Sequence, residues 1–346
     1  MTLSRSRTFA KPFAASLLVL SLGLAGCSSA GDDAGNAGGS KAGNTDVATG
    51  GAQFATADAE TAKLGSDAPD GEFPRTVTDA VGEVEIPAEP KRIVVLDTGE
   101  LDDVLSLGIT PVGMTTTEGE NPVPTYLEDR VEGIETVGTL NELNLEAIAA
   151  LEPDLILGSQ LRADKLYSEL SKIAPTVFSI RPGFPWKENF LLIGAALGKK
   201  DEATAVLNDY QAKADAVEEL VDGDPTISLV RFMPTRLRLY GDKSFIGVIL
   251  KDVGLDRPYN QHIDELAAEI SPETIDVGDG DYIFYTSYGS PEATGESTII
   301  NGAGWAAMDG VKNGNAIRVN DDTWFLGLGP IGADAVLTDL QEFLAK

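Results

Sequence analysis

The chain has 346 residues, 42% of them apolar, and carries 55 acidic against 26 basic residues for a formal net charge of −29. So acidic a surface repels nucleic acid and anionic headgroups, and no nucleic-acid partner is expected. One cysteine excludes a disulfide framework and one histidine a His-rich zinc or manganese site; with that histidine, His262, in the polar run Tyr259-Asn-Gln-His-Ile-Asp264 and no Gly-x-Ser-x-Gly elbow in the sequence, a hydrolase is not expected.

The N-terminus opens with Arg5, Arg7 and Lys11, followed by an apolar run over residues 13–25. That run is much shorter than the roughly 20 residues a membrane-spanning helix needs, so residues 1–26 read as a signal segment. The tetrapeptide Leu24-Ala25-Gly26-Cys27 resembles the bacterial lipobox, which implies lipidation of Cys27. Two acyl chains, at about 0.8 kcal/mol per buried CH₂, would hold the protein stably on the extracytoplasmic face of a cell membrane. Residues 27–71 are rich in Gly, Ala, Ser, Asp and Thr and read as a flexible leash.

From residue 72 the pattern becomes αβ alternation. Apolar runs at 93–96, 112–114, 155–157 and 177–180 alternate with helical stretches such as 101–107 and 145–151, which predicts a mainly parallel sheet in an N-terminal lobe over 72–185. A helical segment over 186–223 comes next. It contains helices at 186–197 and 201–221, the second carrying one apolar stripe of Val206, Tyr210, Ala214, Val217 and Val221 before Gly223 and Pro225 stop it. A C-terminal lobe over 224–346 has expected strands at 227–232, 282–285 and 316–319 and a closing helix at 333–344. The fold class is α/β: two lobes with central mainly parallel sheets, joined by one long α-helix, with a ligand cleft between them.

Several runs carry a family likeness: Pro90-Lys-Arg-Ile-Val-Val-Leu-Asp97, Asn144-Leu-Glu-Ala-Ile-Ala-Ala-Leu-Glu-Pro-Asp154, Leu229-Val-Arg-Phe-Met-Pro234, Phe245-Ile-Gly-Val-Ile-Leu-Lys-Asp-Val-Gly254 and Ile270-Ser-Pro-Glu-Thr-Ile275. Together they resemble the substrate-binding lipoproteins of ferric-siderophore and cobalamin ABC importers, most closely the iron-siderophore branch. The resemblance implies a solute held between two lobes bridged by a rigid helix. It also implies an exposed glutamate on each lobe that docks onto a permease driven by its ATPase, at Glu146 and Glu273. Alternatives are a haem or cobalamin receptor of the same architecture and, from another class, a surface-interaction lipoprotein without a small-molecule site.

In open parallel sheets ligands sit beyond the carboxyl ends of the strands. The positions past the expected strand ends are Asp97, Thr98, Ser159, Gln160, Arg162, Arg181 and Trp186 in the first lobe, and Arg231, Tyr240, Tyr288 and Trp324 in the second. Arg231 ends an apolar run, with Arg236 and Arg238 close behind; planar guanidinium donors suit carboxylate, hydroxamate or catecholate oxygens. The ligand-binding set expected here is Arg231, Arg236, Arg162, Tyr240, Trp324 and Trp186, the aromatics serving to cover an organic shell. The iron arrives wrapped in its chelator, so no protein metal ligand and no cofactor beyond the lipid is expected. The protein is read as a monomer and as a binding protein, not an enzyme.

Overall fold

The computed structural model describes residues 54–117 and 121–345. The expected signal segment, Cys27 and most of the expected leash lie outside the described residues. The leash is corrected at its far end: Ala57–Thr61 is helical, Ala57 and Thr61 are almost wholly buried, and Gly65 bridges Thr78. Ala57 packs with Ile180 and Phe184, so small side chains that look like linker are seated by fit rather than by large apolar area.

A hairpin, β1 (Arg75–Thr78) with β2 (Glu83–Ile86), precedes the first lobe and was not legible as a pair of strands. The lobe's sheet holds β3 (Ile93–Val95), β4 (Gly113–Thr116), β5 (Glu135–Thr139), β6 (Glu142–Leu143), β7 (Leu155–Ser159) and β8 (Thr176–Ser179) in the order β6-β5-β4-β3-β7-β8. All neighbours are parallel except the β5–β6 pair. Ile93, Val95, Leu155 and Leu157 face one apolar cluster, while Val94, Leu96, Ile156 and Phe178 face another. Helices cover both sides, which is why these strands read as unbroken apolar runs.

The second sheet holds β9 (Ile227–Met233), β10 (Arg236–Tyr240), β11 (Ala267–Ile270), β12 (Tyr282–Ser287) and β13 (Ala316–Arg318) in the order β11-β10-β9-β12-β13. Here β9, β12 and β13 run parallel, whereas β10 is antiparallel to both its neighbours, so this sheet is mixed. The reason is a tight hairpin: Met233 pairs with Arg236 across Pro234 and Thr235, and Thr235 takes the left-handed φ of 71° that the second position of such a turn demands.

The linker helix, Lys200–Glu218, spans roughly 28 Å at 1.5 Å per residue. Its Ala203 lies in the first lobe's core, and its Tyr210, Ala214 and Val217 in the second's, so one stripe serves two lobes. Two further helices cross the seam. In Trp186–Leu197 the first residue is buried in the second lobe's core while Phe190, Ile193 and Leu197 lie in the first's. The C-terminal helix, Pro330–Leu344, packs in the second lobe yet begins against Asp102 of the first-lobe helix Thr98–Ser106.

Candidate cleft between the lobes

On the first-lobe face, Asp97 comes after β3 in an extended conformation. One of its carboxylate oxygens accepts from the Thr98 amide at 2.7 Å, and the other from Arg162 Nε at 2.5 Å. Ser159 and Ser179 sit side by side in the β7–β8 register at the strand ends. Beneath them Glu100 is buried, and burial together with the neighbouring Asp97 charge pushes its pKa up to about 8. Arg181, just past β8, is also buried. Its Nε donates to the Pro182 carbonyl at 3.2 Å and its guanidinium lies 4.4 Å from the Phe54 ring centre. Burial and the Arg162 charge push its pKa down to about 10.

On the second-lobe face, Arg231 of β9 is clasped by Asp321, with Nε at 2.7 Å and Nη2 at 2.5 Å from the two carboxylate oxygens. Its Nη1 donates to the Tyr240 hydroxyl at 2.8 Å. Three rings surround it: Tyr288 at 4.8 Å, Phe325 at 5.4 Å and Tyr240 at 5.9 Å from the guanidinium carbon. Burial alone would lower its pKa, but Tyr240 and Asp321 outweigh burial and raise it, so the cation is permanent. In front of this assembly lies a cavity of about 250 Å³, lined from the first lobe by Thr117, Asn121 and Pro124 and from the second by Tyr288, Ser290, Arg318, Asn320, Asp321 and Asp322. Tyr288 and Asp321 thus touch both the cavity and Arg231. The Arg318 side chain, 46% exposed, ends β13 beside the cavity while Glu296 holds its Nε at 2.9 Å.

The six expected ligand residues divide clearly. Arg231 stands directly behind the cavity wall, and Tyr240 supports it from below. Arg162 lies on the opposing face, tied to Asp97. Arg236 is exposed at the start of β10 and shares Glu269 Oε1 with Arg238, at 3.3 and 3.0 Å. The two tryptophans are corrections. Trp324 is fully buried against Phe284, its Nε1 donating to Asp339 at 2.7 Å, and Trp186 is fully buried between Tyr210 and Phe245. Neither ring offers a face to the cleft. Asp321, Arg318 and Asn320 line the cavity without having been in the expected set. Arg318 is the last residue of the parallel strand β13, a cation closing a strand, and that was its signal.

Glu146 and Glu273 are both exposed, one on each lobe. Each is two residues beyond a helix cap, Asn144 or Ser271, and each comes shortly after an edge strand of its sheet, β6 or β11.

Two α/β lobes, three helices across the seam and a polar cavity between strand ends define a bilobal solute receptor. The chain belongs to the periplasmic binding protein family, whose profile matches residues 93–323. It is therefore a binding protein, not an enzyme. It is 36% identical over 286 residues to a probable siderophore-binding lipoprotein, YfiY, of Bacillus subtilis, covering 79% of this chain and 88% of that one. It is 29% identical over 262 residues to the achromobactin-binding periplasmic protein of Dickeya dadantii, covering 72% and 85%. Among solved structures, Staphylococcus aureus SirA complexed with staphyloferrin B superposes with a TM-score of 0.71 at 31% identity, over 78% of this chain and 98% of that one. No helix among the described residues is long and apolar enough to cross a membrane.

Proposed function

We propose that this protein captures a ferric siderophore outside the cytoplasm and delivers it to an ABC permease for iron uptake. The observation that carries the reading is the Arg231 assembly: a permanent cation ringed by aromatic faces, set at the wall of a polar cavity between two lobes, in a chain whose relatives bear siderophore-binding names. Chelate oxygens would meet Arg318, Asn320 and the hydroxyls of Tyr288 and Ser290, with Arg231 neutralising the Asp321 carboxylate at the cavity wall. Arg162 and Arg181 line the strand ends of the facing lobe and would supply positive potential from the other side. The iron stays within its chelator, so this is recognition of organic oxygens and carbon, not metal ligation. Glu146 and Glu273 form the permease contact, one from each lobe, and acylated Cys27 keeps the receptor beside that permease, raising its effective concentration there.

The test is a thermal-shift and tryptophan-fluorescence panel of ferric catecholate, hydroxamate and citrate complexes, with haem and cobalamin alongside. A ligand at 100 times its Kd adds about 2.7 kcal/mol of stability. Saturable binding of at least one ferric chelate is expected. Binding of haem or cobalamin alone would move the protein to another ligand class, and no response to any of them would leave a surface-interaction role.

A further inference from the structure

The first amides of an α-helix have no acceptor within the helix and need one from elsewhere. At the start of the C-terminal helix Gly329 has no side chain to cap with, and Pro330 has no N–H. The next two amides, Ile331 and Gly332, donate to the two oxygens of Asp102 at 2.8 and 2.9 Å. Asp102 belongs to the other lobe and is completely buried. A mirror of this arrangement lies some residues away. Asp322 of the second lobe accepts from the first-lobe Thr125 amide at 3.0 Å, from its hydroxyl at 2.8 Å and from Asn121 Nδ2 at 3.0 Å. Each lobe therefore sends one carboxylate across the seam to backbone amides of the other. Asp322 and Asn121 also line the cavity, so the second half of this arrangement sets the distance between its walls.

Glycine makes the approach possible. A Cβ on Gly329 would lie 2.6 Å from the Asp102 carboxylate carbon, and one on Gly332 3.1 Å from the Tyr126 ring. The backbone of Gly329 is extended, a conformation open to any residue, so space for Asp102 is the reason for glycine there.

We propose that Asp102 and Asp322 form a reciprocal latch that fixes the spacing of the lobes before any ligand arrives. Two charge-assisted contacts at separate points of the seam both have to stretch before the lobes can part. Together with the crossing helices, the latch gives the ligand a cleft already near one width, and the two halves open as a unit.

Amide hydrogen exchange on the full chain tests this without any ligand. Asp322→Asn leaves Asp102 untouched, yet it is expected to speed exchange at Ile331 and Gly332 roughly tenfold through coupled opening. Asp102→Asn is expected to do the same at Thr125. If each variant speeds only the amides its own carboxylate holds, the two contacts are independent and the latch is wrong. Should one variant not fold, the other still decides, since each reads amides held by the opposite carboxylate.

Discussion

Arg231 gives Asp321 two parallel N–H donors, at 2.7 and 2.5 Å, while its side chain is only 5% exposed. A buried cation fixed in this way has no rotational freedom and no alternative partner in water. Removing either partner leaves the other charge unpaired, typically about 3–5 kcal/mol when that charge is buried; the stranded guanidinium would be 5% exposed and the stranded carboxylate 18%, so loss of the carboxylate costs more. Asp321→Asn is therefore expected to lower stability more than Arg231→Met in urea unfolding. Both are expected to weaken ferric-chelate binding in a fluorescence titration, Arg231→Met by leaving the Asp321 carboxylate uncompensated at the cavity wall and Asp321→Asn by freeing the guanidinium to move. Negligible stability losses in both variants would mean that Arg231 is not held by Asp321 in solution.

Trp324 and Trp186 test the opposite expectation. Trp324→Phe keeps the ring packed on Phe284 but leaves Asp339 without its donor, a loss of about 1–3 kcal/mol. Chelate affinity should stay within a factor of two or so of the parent, because the ring has no face on the cleft. A large affinity loss with unchanged stability would return Trp324 to the binding set.

What separates these two cases is the kind of information each residue's surroundings carry. Arg231 was legible because a cation set within the apolar run of β9, two residues before the strand's end, has to meet a partner there, and position along a strand is a local property. The tryptophans were not, because burial depends on how a loop folds back. Asn320 accepts from the amides of Asp322 and Thr323, starts a short helical turn and tucks Trp324 into the core. The strand β10 was present in plain alternation, Arg236-Leu-Arg-Leu-Tyr240, with Leu237 and Leu239 on one apolar face. Its arginines drew the reading toward ligand instead of toward Glu269 on the neighbouring strand. The Asp102 and Asp322 contacts join residues about 200 positions apart and had no local signature.

Glu146 and Glu273 are predicted to act outside the cleft. Both are exposed, and Glu273 titrates below the usual carboxylate range because its own amide and Ser271 hydrogen-bond the charged form. Glu146→Arg with Glu273→Arg is expected to leave chelate affinity and melting temperature unchanged and to abolish iron uptake by cells. Uptake at the parent rate in the double variant would remove both residues from the permease contact.

Buried carboxylates also set a pH dependence with a definite sign. Burial raises Glu100 to about 8 and Asp102 to about 6, the latter despite its two amide donors and the opposing Arg130 charge; Tyr126 and Asp103 are the other titratable groups beside Asp102. A carboxyl with a raised folded pKa binds more protons folded than unfolded. Its contribution to stability therefore falls as pH rises from about 4 through the folded value. Between pH 5 and 8 the urea midpoint of Glu100→Gln is expected to gain on the parent as pH rises, and that of Asp102→Asn to gain chiefly between 5 and 6.5 or so. A difference between parent and Glu100→Gln that does not vary with pH would mean Glu100 ionises as an ordinary surface carboxylate.

Gly329 and Gly332 give the last prediction, and they separate a collision with a fixed group from one with a movable ring. Gly329→Ala brings a methyl to 2.6 Å from a carboxylate carbon that is pinned by two amides and whose own Cβ is 2.7 Å away. Neither side is free to yield without breaking the Asp102 contacts, so the substitution is expected to cost about 1–3 kcal/mol. Gly332→Ala meets the ring end of Tyr126 at 3.1 Å and the Gly327 Cα at 3.2 Å, contacts that a shift of a few tenths of an ångström relieves. Its helical position also favours alanine over glycine by up to about 1 kcal/mol, which offsets the contact. Chemical unfolding should therefore rank Gly329→Ala well below Gly332→Ala. The reverse order would mean that the start of the C-terminal helix does not sit against Asp102 as closely as the distances require.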